Sequence, residues 1–549
     1  MFKNMAGIYL GDCSIAIGRQ VSAVAKGIDM RSRLDIKNRP AFLCRLATDM
    51  QAQWNVTHDG NLPKARAEAK GSLDERQSRY TFFSKFPMLL EKKMSQAPES
   101  HGHDPDITKT LASYTSGLKF EDLSDDAIEA AKHCLLDWIG VTVAGLEEPL
   151  TQMLIAQAEA DGGDAQASVV GDGRKFSASQ AALINGSASH ALDYDDVQTR
   201  LQGHPTVPVA PVVLALGEME GRSGKDVITA FAAGVEAECR IGAYMGMTHY
   251  EKGWHSTATI GTFGGAVGAA RMMGLDVEKS ALAMGIAGTQ AAGLKSMFGT
   301  MCKPLHAGKA AQNGLFAANM AARGFTSRPD VLERHQGFAH TQSEAPNIDA
   351  GLFGLGDRFE VRDALFKYHA ACYGTHGTIE AIHAIRAKNE IDPADVERVE
   401  LAVRTGFLDV CGIPTPETGL EGKFSLRFCA AIAIAGEDTA RLETYSDENV
   451  KNPALVDLFQ KVAVSEKDSL ERMGAEVTIH TKDGVVHYEK YDAGIPAADL
   501  PAQWKKLVRK FRGCVEPVLG SEKTESLIQA VERLDETDDV RELTALWSA

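Results

Sequence analysis

From about residue 106 to residue 330 apolar side chains recur every three or four positions, the rhythm of helices with one buried stripe. Ser124 is placed to cap a helix whose stripe is Ile128, Ala131, Leu135 and Trp138, and Ser223 to cap another with Ile228, Phe231 and Val235. The segment STATIGTFGGAVGAARMM, Ser256 to Met273, is crowded with Gly and Ala. Such small residues let helix backbones approach closely, so this segment reads as a central helix buried on most sides. Around residue 395 the period changes. Val399, Leu401 and Val403 alternate with polar residues, and GAEVTIHTKDGVVHYEKY reads as a strand, a turn at Asp483-Gly484 and a second strand. From about Ala497 the chain returns to helix in LPAQWKKLVRKF, ESLIQAVERL and VRELTALW. The expected fold is mainly α: a large all-helical domain begun over residues 106–362, an inserted smaller α+β domain over 363–496, and C-terminal helices over 497–549 that return to the large domain.

Residues 1–105 read as a basic extension outside this fold. Residues 1–93 hold 16 Lys and Arg against 9 Asp and Glu, whereas the remainder holds 42 against 65. The extension shows no sustained period, and Met94 opens a polar lead-in, MSQAPESHGHDPD, so a disordered segment or a start-site artefact is expected. Nine acidic residues are too many for an acid-poor transit peptide. A cytoplasmic location is expected, or the mitochondrial matrix if the extension is a targeting segment.

With 58 basic and 74 acidic residues the net charge is −16, which argues against nucleic acid or anionic lipid as a partner. No run of 18 uncharged apolar residues is present to span a membrane. The nine cysteines are scattered with no C-x-x-C pair, which points away from disulfide frameworks, cysteine-bound zinc and iron–sulfur clusters. Gly261 to Gly268 lacks the G-x-G-x-x-G spacing of a dinucleotide site and follows no buried strand.

Four polar clusters remain. In ASHALDYDDVQTRLQGHPTVPVAPVVLAL, Asp193, Asp195, Asp196 and His204 offer either a histidine base with a carboxylate orienter or an Asp-rich cap. In HYEKGWHSTATIG, His249, Trp254 and His255 precede the Gly/Ala-rich helix; a helix start disfavours the imidazolium, so a neutral base is available there. In MFGTMCKPLHAGKAAQNG, Lys303 sits at a probable helix start among apolar residues, which suits a carboxylate ligand. In LFKYHAACYGTHGTIEAI, Lys367, Tyr368, Cys372 and His376 form a polar helix start and no more.

Taken together, A-LDYDD followed by GHP, GWHSTATIGTFG, FGTM-KPLHAGKAAQNG and K-Y---C---H resemble the MmgE/PrpD family from about residue 106 to the C-terminus. That family contains 2-methylcitrate dehydratases, cis-aconitate decarboxylases and iminodisuccinate epimerases, typically homodimers. The resemblance implies a cofactor-free, metal-free site between two domains that takes a small di- or tricarboxylate. It implies Asp193, His204, His255 and Lys303 as catalytic residues and Lys367, Tyr368 and His376 in substrate binding. Lys303 and Lys367 would stabilise an enediolate, His204 and His255 would move protons, and Asp193 would fix a histidine tautomer. Phe428 stands where the family often has a tyrosine, removing one proton donor and weighing against decarboxylation. The expected activity is therefore a hydro-lyase of the 2-methylcitrate dehydratase type, with epimerase or decarboxylase chemistry, or a non-catalytic carboxylate-binding protein, as alternatives.

Overall fold

The computed structural model describes residues 106–548; the expectation for residues 1–105 falls outside them. The described chain is mainly helical with one four-stranded sheet. None of its helices is long and apolar enough to cross a membrane.

The stripe expected after Ser124 becomes the Asp125–Ala144 helix, with Ala131, Leu135 and Trp138 buried. Ser124 is its N-cap residue, yet its hydroxyl donates to Asp126 Oδ1 at 2.6 Å instead of accepting from the backbone. Ser223 behaves as the pattern predicts, accepting from the Asp226 amide in a capping box that opens the Gly224–Glu251 helix. The Gly/Ala-rich segment is almost entirely buried, as the short Ser256–Thr259 turn followed by the Gly261–Met272 helix. Two glycine positions set how closely its surroundings pack. A Cβ on Gly264 would lie 2.2 Å from Glu238 Oε2, and one on Gly186 would lie 2.9 Å from the Gly308 Cα. The second contact makes the Ala178–Ala191 and Cys302–Ala322 helices cross at backbone distance. The helical part is not purely helical: Ala167–Ser168 and Lys175–Phe176 form a two-residue antiparallel ladder.

The sheet order is Val462–Glu466, Val396–Val403, Gly474–Thr481, Val486–Asp492. The first pair is parallel and the other two antiparallel, with Val399 opposite Val462 and Leu401 opposite Val477. The alternation read in the sequence buries Val399, Leu401 and Val403, and Gly484 closes the hairpin with φ at +88°. The first two segments of the helical tail form one element, Leu500–Glu532, broken in its backbone only at Gly520, and VRELTALW forms a short Arg541–Thr544 helix followed by a 3-10 turn over Ala545–Trp547. The Leu500–Glu532 element lies along the Asp125–Ala144 helix: Phe511 covers Gly140, and buried Lys510 pairs with buried Asp137 at 2.6 Å. Lys510 also donates to the Tyr194 carbonyl at 2.6 Å and sits 4.0 Å from that ring's centroid, bracing the aspartate-rich loop from behind.

Candidate active site

The Ala178–Ala191 helix starts from a capping box between Ser177 and Gln180 and ends just before Asp193, whose φ of +51° lies in the left-handed region. That turn sends three carboxylates in three directions. Asp193 faces a cavity of about 500 Å³. Asp195 is buried between two imidazoles, 2.9 Å from His190 Nδ1 and 2.9 Å from His204 Nδ1. Asp196 accepts from the Thr206 hydroxyl at 2.6 Å and from its amide at 3.3 Å, at the start of the Thr206–Glu220 helix. The cluster is thus both a cap and an orienter, divided among its residues.

Asp193 is held by lysines. Lys303, in the first turn of the Cys302–Ala322 helix, donates to its Oδ1 at 2.6 Å; Lys367 lies 3.1 Å from the same oxygen and donates to the Asp193 carbonyl. His204 Nε2 is 3.8 Å from that oxygen. Burial alone would raise the Asp193 carboxyl, but Lys303 and Lys367 hold it well below the usual carboxylate range. Lys367 is buried, which favours its neutral form, yet Asp193 and Asp195 raise it above an ordinary lysine. The Lys367 ammonium therefore remains charged. The carboxylate within hydrogen-bond distance of the imidazoles is that of Asp195, 2.9 Å from each, whereas Asp193 lies 3.8 Å from His204 and is engaged by the lysines.

His255 precedes the Ser256–Thr259 turn, with Nδ1 3.0 Å from His306 Nδ1 and its ring edge-on to Phe298 at 5.0 Å. Burial first, then His190 and Lys303, push it well below the ordinary histidine value, so the neutral base expected at this helix start owes more to desolvation than to a dipole. His249 and Trp254 stack at 6.3 Å away from the cavity, and His249 Nε2 is engaged by Thr259 Oγ1 at 2.8 Å.

Five of the seven expected site residues, Asp193, His204, His255, Lys303 and Lys367, line one cavity; Tyr368 and His376 do not. Neighbours on an extended segment point opposite ways, so Lys367 enters this cavity while Tyr368 turns to a second one, where its hydroxyl accepts from Gln503 at 3.1 Å. His376 faces that second cavity too, with Nε2 3.4 Å from the Ala371 carbonyl. The Phe428 ring is fully buried against Gly422 and Tyr445 and is not among the residues that line the cavity.

The sequence reading passed over His190, His306 and Arg472. His306 follows Lys303 by three residues on one helix, a spacing that puts both on the same face, and His190 lies in the last turn of the helix that leads into Asp193. Arg472 comes from the turn before the Gly474–Thr481 strand and had no local signal. Cys372 also lines the cavity; a hydrogen bond from Cys411 lowers its thiol to about 7 against the opposing effect of burial.

His190, Asp193, Asp195 and His204 bring ligand-type atoms within 4.8 Å of one another. Two ammonium groups already neutralise Asp193, so this donor set is compensated by the protein's own cations. Lys303, Lys367 and Arg472 are set in the lining against one carboxylate, Asp193, so cationic groups outnumber anionic ones there.

The chain matches the MmgE/PrpD N-terminal domain over residues 109–350 and the MmgE/PrpD C-terminal domain over residues 369–536. It is 27% identical over 461 residues to the cis-aconitate decarboxylase of Mus musculus, covering 80% of this chain and 93% of that protein. It is 27% identical over 457 residues to the cis-aconitate decarboxylase of Homo sapiens, covering 80% and 94%. The Aspergillus terreus protein of the same name is 27% identical over 472 residues, covering 80% and 95%. With both family domains present in order across the helical and mixed parts, the chain belongs to the MmgE/PrpD family and is an enzyme of the lyase kind.

Proposed function

We propose that this lyase removes CO2 from cis-aconitate or a closely similar unsaturated tricarboxylate, rather than water from 2-methylcitrate. The observation that carries the reading is the convergence of Lys303, Lys367 and Arg472 on a cavity with a single carboxylate, Asp193. Relatives named cis-aconitate decarboxylase that align over most of both chains favour the unsaturated substrate. The objection from Phe428 loses its force because that position lies outside the cavity.

The chemistry follows from the substrate class. In cis-aconitate one carboxylate sits on a carbon adjacent to the double bond. When its C–C bond breaks, that electron pair forms a new C=C and the old π pair moves to the carbon beside another carboxylate, giving an enediolate. Lys303 and Lys367 stabilise this charge as preorganised donors that need little reorientation. A proton delivered to that carbon completes the product. His204, with Asp195 behind it, and His255, with His306 behind it, are the groups placed to carry that proton. The test is proton NMR in D2O with cis-aconitate, 2-methylcitrate and iminodisuccinate. The expected result is CO2 loss from cis-aconitate with one deuterium in the product. Dehydration of 2-methylcitrate with cis-aconitate untouched would overturn the proposal in favour of the hydro-lyase, and α-deuteration of iminodisuccinate alone in favour of the epimerase.

A further inference from the structure

A second group of imidazoles lies outside the catalytic cavity. His369, Glu380 and His383 each offer one ligand-type atom, all within 4.8 Å of one another. Glu380 and His383 stand three residues apart on the His376–Lys388 helix and so share a face; His369 reaches them from the extended segment before it. His369 Nδ1 is 2.8 Å from the Thr439 hydroxyl. In the tautomer where Nδ1–H donates to that hydroxyl, Nε2 presents its lone pair, as in metal-bound histidines whose other nitrogen is held by an outer hydrogen bond. That Nε2 is buried without a hydrogen-bond partner, 3.5 Å from Glu380 Oε1. The His369 and His383 rings meet edge to face at 5.3 Å, and burial favours the neutral, ligating form of both. Lys506 competes for the carboxylate: it donates to both Glu380 oxygens at 2.8 and 3.0 Å, from a side chain that is 46% exposed and lies 4.9 Å over the Tyr368 ring. Glu380 and Lys506 also line a cavity of about 370 Å³, which supplies access from solvent and room for water ligands.

We propose that His369, Glu380 and His383 form a binding site for one divalent transition-metal ion of the zinc or cobalt type, which displaces Lys506 from Glu380. Two imidazoles and one carboxylate select such ions over Mg2+ and Ca2+. His369 lies two residues beyond Lys367 and three before Cys372, so an ion here would pin the segment that carries both into the catalytic cavity.

The test is a Co2+ titration of the EDTA-treated full-length protein, followed by visible absorption. One equivalent is expected to give saturable d–d bands. His383→Ala should weaken binding about 10- to 100-fold, and His204→Ala, in the catalytic cluster, should leave it unchanged. Lys506→Met should tighten it severalfold by removing the competitor. Absence of saturable binding below about 1 mM, which corresponds to roughly −4 kcal/mol, would overturn the proposal. So would binding lost in His204→Ala but kept in His383→Ala. Should His383→Ala fail to fold, Lys506→Met on its partly exposed site decides: unchanged affinity refutes the site.

Discussion

Replacing Lys303 or Lys367 with methionine is the sharpest challenge to the electrostatic reading of the cavity. An ammonium about 3 Å from a substrate carboxylate, at an effective dielectric of about 20, supplies roughly 5.5 kcal/mol of gross attraction. Removing one preorganised donor from comparable sites costs about 2.7–4 kcal/mol, or 10²–10³ in kcat, which is the expected loss for either variant. Lys367 is nearly inaccessible, with 2% of its side chain exposed against 17% for Lys303, so its loss should be the larger of the two. Both nitrogens meet the same Asp193 oxygen, at 2.6 and 3.1 Å, so the double variant should fall well short of the product of the single effects. The assay is CO2 release from cis-aconitate under saturating substrate, with the melting temperature measured in parallel. A Lys303→Met enzyme of unchanged stability and kcat within about tenfold of the parent would refute the reasoning, as would strict multiplicativity of the two losses.

Cys372, with its thiol near 7, should react with iodoacetamide with a pH midpoint close to 7, absent in Cys372→Ala and slowed by a bound tricarboxylate; a midpoint at the ordinary thiol value would count against the Cys411 hydrogen bond. Lys510→Met strands the buried Asp137 carboxyl, itself raised to about 6 by burial, and should cost about 3–5 kcal/mol in urea unfolding. Adding Asp137→Leu should recover much of that loss, and no recovery would mean that the ion pair is not what Lys510 contributes. Burial lowers His249 from 6.5 to about 4, so the unfolded chain binds more protons between those values. Its contribution is complete above about pH 6.5 and is lost as pH falls toward 4, with a slope of up to about 1.4 kcal/mol per pH unit. A His249→Phe variant whose stability keeps the same pH slope in that window would contradict this assignment.

Most of the architecture is legible in the chain because it follows from local periods. The stripe after Ser124, the Gly/Ala-rich central helix and the Asp483-Gly484 hairpin are each set by residues a few positions apart. The site is legible only in part. Lys303 and His255 announce themselves by sitting at helix starts among apolar neighbours. The division of labour within DYDD depends on a single positive φ at Asp193, which spacing does not reveal. Tyr368 beside Lys367 shows the converse limit: two adjacent polar residues look equivalent in sequence, yet an extended backbone sends them into different cavities. Arg472 and the pairing of Lys510 with Asp137 depend on contacts across long sequence separations, so no local pattern carries them.

The Gly186–Gly308 crossing acts as a mechanical stop between two levers. Asp193 lies seven residues beyond one glycine and Lys303 five residues before the other, so backbone touching backbone fixes the spacing of the Lys303–Asp193 pair. Side chains at an ordinary helix crossing can repack, whereas two bare backbones have nothing left to yield. A single methyl at Gly186 would start 2.9 Å from the Gly308 Cα, where carbon atoms prefer about 3.5–4.0 Å, and the helices would have to part by roughly that difference. Carried to the helix ends, a shift of this size is enough to break a 2.6 Å contact, so the tolerance of the cavity is set some distance from any residue that touches substrate.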